Sequence, residues 1–193
     1  MTFLEYVFLF LILVLYGVVA ATFIVFVLDS AFYGHDLPTS RRAAKALAAA
    51  IKRYSPRAKN FYDLGCAHGD LCLRLKKDLP DVAICGIDKG AIRIFFARVK
   101  SKILGRKVSF KKRDIFQSDL SDADVIYTYL WYSLMPVLEK KLQNELKQGA
   151  VVITNTSHFQ DWQAVEKIIT YPKVSKLPDF ETLFVYVKKQ TSF

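Results

Sequence analysis

Two carboxylates and the glycine turn between them could carry the chemistry of this sequence. Asp63 ends a short apolar run, Gly65 and Gly69 follow it, and Asp88 ends the next apolar run at 82–87. Glycine lets a backbone approach a ligand, a helix that starts after the turn presents unpaired N–H groups, and a carboxylate accepts hydrogen bonds from ribose hydroxyls. This order of strand, turn, helix and acid-tipped strand predicts a site for an adenosine-type cofactor.

The spacing of the turn distinguishes between cofactors. A dinucleotide fingerprint, G-x-G-x-x-G, would need glycine at 65, 67 and 70, where the sequence has Gly65, Ala67 and Asp70. The pattern Asp63-x-Gly65-x-Ala67-x-Gly69 instead resembles the D-x-G-x-G-x-G motif of class I S-adenosylmethionine-dependent methyltransferases, with Ala67 in place of the middle glycine. This resemblance implies that S-adenosyl-L-methionine is the cofactor. The residues expected to contact it are Asp63, Gly65, Cys66, Ala67, Gly69, Asp88, Lys89, Asp114 and Ile115.

The third predicted strand is also followed by an acid. Asp114 comes directly after this strand, with Ile115 and Phe116 next in sequence. Ligands of open α/β sheets bind at the carboxyl ends of the strands. Asp114 is therefore expected to accept a hydrogen bond from the adenine amino group, with Ile115 or Phe116 against the ring. The alternative is a loop carboxylate that caps a turn or is solvated.

Aromatic and polar residues follow the fourth and fifth predicted strands and form the candidate acceptor site. The fourth strand ends in Tyr129, Leu130, Trp131 and Tyr132, and the fifth ends in Asn155, Thr156, Ser157 and His158. Aromatic side chains would lower the pKa of an acceptor lysine by desolvation and attract its cationic products, although plain packing explains any single ring equally well. His158 is a candidate base by position, and the polar residues before it could orient the amine instead. The catalytic candidates are Tyr129, Trp131 and His158.

The first thirty residues predict a membrane anchor. Residues 3–28 are nearly all apolar, with Glu5 as the only charge. A helix of this length measures roughly 39 Å, enough for a tilted helix to cross about 30 Å of hydrocarbon. A cleaved signal peptide is the alternative, but no basic residue precedes the segment and its apolar core is longer than such peptides have.

The charge distribution predicts the orientation of this anchor. No Lys or Arg precedes Arg41, so residues after 30 carry all 28 basic and 16 of the 18 acidic side chains, a net charge of +12. The positive-inside rule places this part on the cytoplasmic or equivalent side. A basic helix over 41–54, capped by Thr39 or Ser40, could contact anionic headgroups or simply be solvated.

The cysteines favour the same compartment. Cys66, Cys72 and Cys85 are odd in number and lack the spacing of a metal site, which favours reduced core thiols and a reducing compartment. We expect no metal and no nucleic-acid partner, while the sequence leaves the oligomeric state open.

Alternating apolar segments predict an α/β fold. We expect a Rossmann-like, mostly parallel sheet with helices on both faces, an antiparallel C-terminal edge strand and an N-terminal transmembrane helix. The predicted divisions are an anchor at 1–30, a linker and basic helix at 31–59, and a cofactor-binding domain at 60–193. Helices are predicted over 41–54, 70–77, 91–104, 136–148 and 161–169. Strands are predicted over 60–64, 82–88, 107–112, 124–130, 150–155, 173–176 and 182–188.

A narrower resemblance covers about residues 34–160. The chain resembles the membrane-anchored lysine methyltransferases of the ATP synthase c subunit and the adenine nucleotide translocase, with their prokaryotic relatives. The matching stretches are GHDLPTS at 34–40, DLGCAHGD at 63–70, DIF at 114–116 and MPVLEKKL at 135–142. The family's G-V-P-E-M segment is LWYSL at 130–134 here, so its Pro-Glu pair is missing, and the Pro-Tyr of its linker is also replaced.

The resemblance implies lysine N-methylation of a membrane protein. Both departures fall near the expected acceptor pocket and bear on substrate identity more than on reaction class. Methylation of a lipid or other small molecule, and a non-catalytic module that keeps the fold, are the alternatives.

Overall fold

A computed structural model describes residues 2–33, 37–171 and 179–189, and the chain divides into two units, Met1–Asp36 and Leu37–Phe193. The first unit contains helix α1, Phe3–Tyr33, whose described side chains are almost all exposed. Its segment Phe3–Val25 is long and apolar enough to cross a membrane, by length and composition alone.

The second unit is a seven-stranded sheet with helices on both faces. Its helices are α2 Arg41–Tyr54, α3 Asp70–Asp78, α4 Ala91–Ile103 and α5 Met135–Glu145. Its strands are β1 Asn60–Leu64, β2 Ala83–Asp88, β3 Ser109–Lys112, β4 Val125–Thr128, β5 Val151–Asn155, β6 Glu166–Ile169 and β7 Thr182–Val187. The strand order is β3-β2-β1-β4-β5-β7-β6, and β7 alone runs in the direction opposite to the other six strands. This confirms the predicted fold class. The antiparallel C-terminal strand β7 is not the edge strand as expected, because it pairs with β5 on one side and with β6 on the other.

Two apolar layers fix the helices to the sheet. One packs α2, α3 and α4 against one face, and the other packs α5 against the opposite face. Helix α2, assigned from the sequence to a separate segment at 31–59, buries Leu47 and Ile51 in the first layer. Its predicted cap is observed, because the Ser40 hydroxyl accepts from the backbone N–H of Ala43 at 3.2 Å.

One prediction about local structure near the C-terminus was wrong, and a second one is not tested by the structure. The helix expected over 161–169 is a loop followed by strand β6, because residues 166–169 pair with β7. The Glu139 carboxylate fixes the loop by accepting from the N–H groups of Gln160 and Asp161. The strand expected over 173–176 lies outside the described residues.

Helix α4 also presents the opposite face to the one expected. Apolar residues Ile92, Phe95, Phe96, Val99 and Ile103 were expected to be inward, but the buried residues are Arg93, Ile94, Ala97 and Ser101. Small Ala97 allows close packing against the loop after β1, since a Cβ added to Gly69 would lie 2.9 Å from the Cβ of Ala97.

Candidate active site

The loop after β1 is a tight turn with three left-handed residues. The φ angles are +82° at Gly65, +45° at Ala67 and +75° at Gly69. The N–H groups of Gly65 and Cys66 both donate to the carbonyl of Ile87, which ties the turn to β2. A side chain would not fit at Gly65, where an added Cβ would lie 2.8 Å from the Leu130 side chain. The positive φ angles at 65 and 69 also explain why glycine occupies both positions.

Asp88 is held beside this turn by backbone amides. Its Oδ2 accepts from the N–H of Ala67 at 3.0 Å, and its Oδ1 accepts from the N–H of Gly90 at 2.7 Å. The residue is buried, so these bonds compensate its charge and fix its orientation. Each carboxylate oxygen can accept more than one hydrogen bond, which leaves capacity for ribose hydroxyls.

Asp63 lies beneath the turn, where its carboxyl accepts from the Cys72 thiol at 3.2 Å. Burial raises the pKa of Asp63 to about 7, the Cys72 hydrogen bond opposes this shift and the charge of Asp88 reinforces it. Burial likewise raises the pKa of Cys66 and Cys72, so both thiols stay protonated.

Asp114 follows β3 and is paired with Lys89 at 2.9 Å. Its other oxygen accepts from the N–H of Phe116, so it also caps the short turn Ile115–Gln117. Partial burial opposes ionisation, but the bonds from Lys89 and Phe116 outweigh it and lower the pKa of Asp114. More than half of the Lys89 side chain is exposed, so the pair contributes little stability and leaves the carboxylate accessible. Ile115 is buried next to it.

The candidate acceptor residues follow the ends of β4 and β5. Tyr129 is partly buried, whereas Trp131 is 61% exposed. The Tyr132 hydroxyl donates to the Thr156 carbonyl at 2.8 Å and joins the two strand ends. His158 is exposed, with its ring 5.7 Å from that of Tyr132 and 5.3 Å from that of Phe184.

Two residues with a strained backbone lie beside the candidate acceptor residues. We call this region, at the ends of β4 and β5 and the start of β7, the acceptor edge. Thr156 and Glu181 have φ angles of +64° and +49°, which residues other than glycine rarely adopt. The Glu181 N–H donates to the Thr156 hydroxyl at 3.1 Å, and the buried Glu181 carboxylate accepts from the Ser40 N–H at 2.9 Å. Burial and the charge of Glu181 raise the pKa of Tyr129, against a hydrogen bond with Thr156, so this phenol stays neutral.

Sequence analysis missed Glu181. The available signal was an acid directly before the apolar run at 182–187, a pattern that also marks an ordinary strand entry. It also missed Thr39 and Tyr127, whose hydroxyls lie 2.8 Å apart, while the Asn155 amide donates to Tyr127 at 3.1 Å. These bonds fix the segment before α2 to the ends of β4 and β5.

The described residues suit an adenosine-type cofactor. The turn has glycine at positions 65 and 69, where an added Cβ would be crowded, and the buried Asp88 and partly exposed Asp114 stand at the ends of β2 and β3. With the strand order, this arrangement defines a class I S-adenosylmethionine-dependent methyltransferase. The sequence profile of the ANTKMT methyltransferase domain matches residues 63–166, more than half of the chain. The protein belongs to this family and uses S-adenosylmethionine as its cofactor.

Curated relatives agree with this assignment. A protein-lysine N-methyltransferase of Saccharolobus islandicus (strain REY15A) is 28% identical over 128 residues, which is 65% of this chain and 77% of the relative. A carboxy-S-adenosyl-L-methionine synthase of Campylobacter curvus is 26% identical over 136 residues, or 68% of this chain and 58% of that enzyme.

Solved structures share the fold at low identity. An RNA methyltransferase of Salinibacter ruber, in complex with S-adenosyl-L-homocysteine, superposes with a TM-score of 0.67 at 20% identity, covering 81% of this chain and 97% of that one. An S-adenosylmethionine-dependent methyltransferase of Clostridium acetobutylicum gives a TM-score of 0.59 at 12% identity, covering 89% and 100%.

Proposed function

We propose that this methyltransferase is anchored in a membrane by α1 and methylates a lysine side chain of a membrane protein. The observation that carries the proposal is the acceptor edge, where the buried carboxylate of Glu181 lies near the partly buried ring of Tyr129. A carboxylate and aromatic rings together attract an ammonium group. The similarity to a protein-lysine N-methyltransferase supports the same substrate class.

The cofactor side of the site has a defined set of residues. Asp88 would hold the ribose, Asp114 the adenine amino group and Ile115 one face of the ring, while the turn at 65–69 faces the remainder. S-adenosylmethionine supplies an activated methyl group, so the protein's main task is to align the acceptor amine with it.

The acceptor side must deliver a neutral amine. The carboxylate of Glu181 draws the lysine ammonium to the edge, and the rings of Tyr129 and Trp131 exclude water and favour loss of its proton. Tyr129 stays a neutral phenol and serves as a hydrogen-bond partner for the amine. The exposed His158 can take the proton from the edge and pass it to solvent.

Anchoring explains why a membrane protein is the proposed substrate. A tether at residue 33 restricts the domain to lysines close to the bilayer, and Arg41, Arg42 and Lys45 soon after α1 favour the cytoplasmic side. The three reduced cysteines agree with a reducing compartment.

The test is methyl transfer in native membranes. Full-length protein is added, with radiolabelled S-adenosylmethionine, to membranes from a strain that lacks it. We expect label in a protein band, released by acid hydrolysis as methyl-lysine. The variant Glu181→Gln keeps the oxygen that accepts from Ser40 and loses the charge, so it should raise KM for the acceptor while cofactor affinity stays unchanged.

Asp88→Asn is the matched control, because it should lower cofactor affinity first. Label that extracts into organic solvent would show that the acceptor is a lipid and not a lysine. Absence of protein label from membranes that carry active enzyme would overturn the proposal.

A further inference from the structure

The outer face of α4 is an exposed apolar surface. Phe95, Phe96, Val99, Ile103 and Leu104 are 60%, 42%, 37%, 77% and 52% exposed. We call these five side chains the α4 surface. Contiguous exposed apolar side chains of this kind mark sites of contact with a protein or a membrane.

The α4 surface is surrounded by positive charge. Residues 91–113 contain nine Lys and Arg side chains and no acid. Arg98 and Lys102 are exposed on α4 itself. A helix with large apolar side chains on its free face, flanked by basic residues, has the composition of helices that lie in the headgroup region of a bilayer.

A basic cleft continues the α4 surface at Leu104. This cleft, of about 430 Å³, lies between α2, α3 and the end of α4. Asp70, one of two acids that line it, is already paired with Lys100 at 2.8 Å. The five basic side chains that line it are Arg41, Lys45, Arg74, Lys77 and Arg106.

We propose that the α4 surface and the basic cleft together bind the surface of an anionic lipid bilayer. The apolar side chains enter the headgroup boundary, and the cleft binds phosphate-bearing headgroups. This inference rests on the membrane anchor of the proposed function and is independent of the lysine acceptor. Only residues 34–36 separate α1 from Leu37, a length that spans at most about 14 Å.

Connectivity makes a bilayer the favoured occupant. The chain enters the domain at Ser40 and Arg41, and Arg41 lines the basic cleft. An anchor that spans the membrane therefore brings this cleft to the headgroups at high local concentration. Nucleic acid would also match the charge, but bases stack on aromatic rings, whereas Val99, Ile103 and Leu104 are aliphatic.

The α4 surface also adjoins the cofactor turn. The Phe96 ring lies 6.4 Å from the ring of His68, and Lys100 contacts the His68 carbonyl at 3.4 Å. Contact of α4 with lipid would therefore hold the cofactor end of the domain next to the bilayer.

The experiment measures lipid contact in the full-length chain. Single cysteines are introduced by Ile103→Cys and, as the control, by Val137→Cys on α5, which is 59% exposed. The three natural cysteines are buried, so an environment-sensitive dye labels the new one. In anionic lipid nanodiscs containing spin-labelled lipid, we expect quenching at least about threefold stronger at position 103 than at 137.

Charge variants test the basic cleft. Lys45→Glu with Lys77→Glu should reduce the quenching at position 103 by about half or more, whereas the single reversal Lys140→Glu on α5 should leave it unchanged. Neutral nanodiscs should have the same effect as the double reversal.

Equal quenching at 103 and 137 would overturn the inference. Protection of position 103 by RNA, or a concentration-dependent dye shift without lipid, would assign the surface to nucleic acid or to a second copy of the chain. Resistance to alkaline carbonate reports the anchor, and methyl-lysine formation reports the acceptor. Failure of the proposed function is therefore distinguishable from failure of this inference.

Discussion

The Asp88 carboxylate accepts a hydrogen bond from the backbone N–H of Ala67 at 3.0 Å. This bond joins the acid at the end of β2 to the turn after β1. These two elements are expected to hold opposite ends of the cofactor, and the bond fixes their positions relative to each other. The second bond, from the N–H of Gly90 at 2.7 Å, fixes the other oxygen. The carboxylate is thus oriented before any ligand binds, which reduces the entropy lost on binding.

Asp88→Asn should weaken S-adenosylmethionine binding by about 1–3 kcal/mol, or roughly 5- to 150-fold. In the variant, an amide nitrogen replaces one of the two carboxylate oxygens. This nitrogen cannot accept the hydrogen bond from the N–H of Ala67 or Gly90, and it removes one acceptor for the ribose. Calorimetry on the full chain in detergent gives the affinity. Asp119→Asn is the control, because that exposed carboxylate bonds to Ser121. An affinity equal to that of the unmodified protein would show that Asp88 does not bind the cofactor.

Ala67→Gly should stabilise the protein by up to about 1 kcal/mol. The left-handed backbone of Ala67, at φ +45°, destabilises the folded protein by roughly 1–2 kcal/mol. Glycine removes this strain, but its greater conformational freedom in the unfolded chain offsets about 0.5–1 kcal/mol of the gain. The N–H that binds Asp88 is retained. The melting temperature should rise by about 2–4 °C.

The reverse change at Gly69 is the matched comparison. Gly69→Ala would place a Cβ 2.5 Å from the Phe110 ring at φ +75°, so it should lower the melting temperature. A loss of stability in Ala67→Gly would show that the turn does not carry this strain.

Local signals explain which elements could be predicted from the sequence. The bounds of α2 and β1 were predicted correctly, because a serine cap and a short apolar run between polar residues are encoded within a few positions. The helix expected over 161–169 failed for a non-local reason: residues 166–169 pair as strand β6 with β7, whose partner residues 182–185 lie more than ten residues away in sequence. The prediction of which face of α4 is buried was wrong because Ala97, rather than the large apolar residues, fits against the turn after β1.

The candidate site divides in the same way. Glycines and acids after β1, β2 and β3 have recognisable spacing, and the class of enzyme inferred from them is confirmed by the family match. The cofactor-binding and catalytic roles of individual residues remain predictions. The left-handed backbone at Thr156 and Glu181 could not be predicted, because at a residue other than glycine it depends on tertiary contacts, here between the end of β5 and the start of β7.

Asp63 should make stability depend on pH between about 4 and about 7. Its folded pKa of about 7 lies above the ordinary value of 3.8, so the folded state binds a proton more tightly than the unfolded chain does. This contribution is fully present below pH about 4 and is lost as the pH rises through about 7. The loss is on the order of a few kcal/mol, because the group is buried.

Asp63→Asn isolates this contribution, since the amide oxygen still accepts from the Cys72 thiol. The variant should be more stable than the unmodified protein at pH 8, and the difference should shrink towards pH 5. Thermal unfolding in detergent at a series of pH values measures it. A difference that stays constant across that range would show that Asp63 is ionised in the folded protein at all these values.

Helix α1 should be retained as a single span, with the domain on the cytoplasmic side. The full-length chain should resist alkaline carbonate extraction, and the domain should be protected from protease added outside intact cells. Leu13→Arg places a charge in the middle of Phe3–Val25, where it costs about 2.5–3.5 kcal/mol, and should shift protein from the membrane pellet to the supernatant. Val137→Arg, an exposed site on α5, should leave the distribution unchanged. A soluble product shortened at its N-terminus would identify the segment as a cleaved signal peptide, and protease digestion of the domain from outside would reverse the orientation.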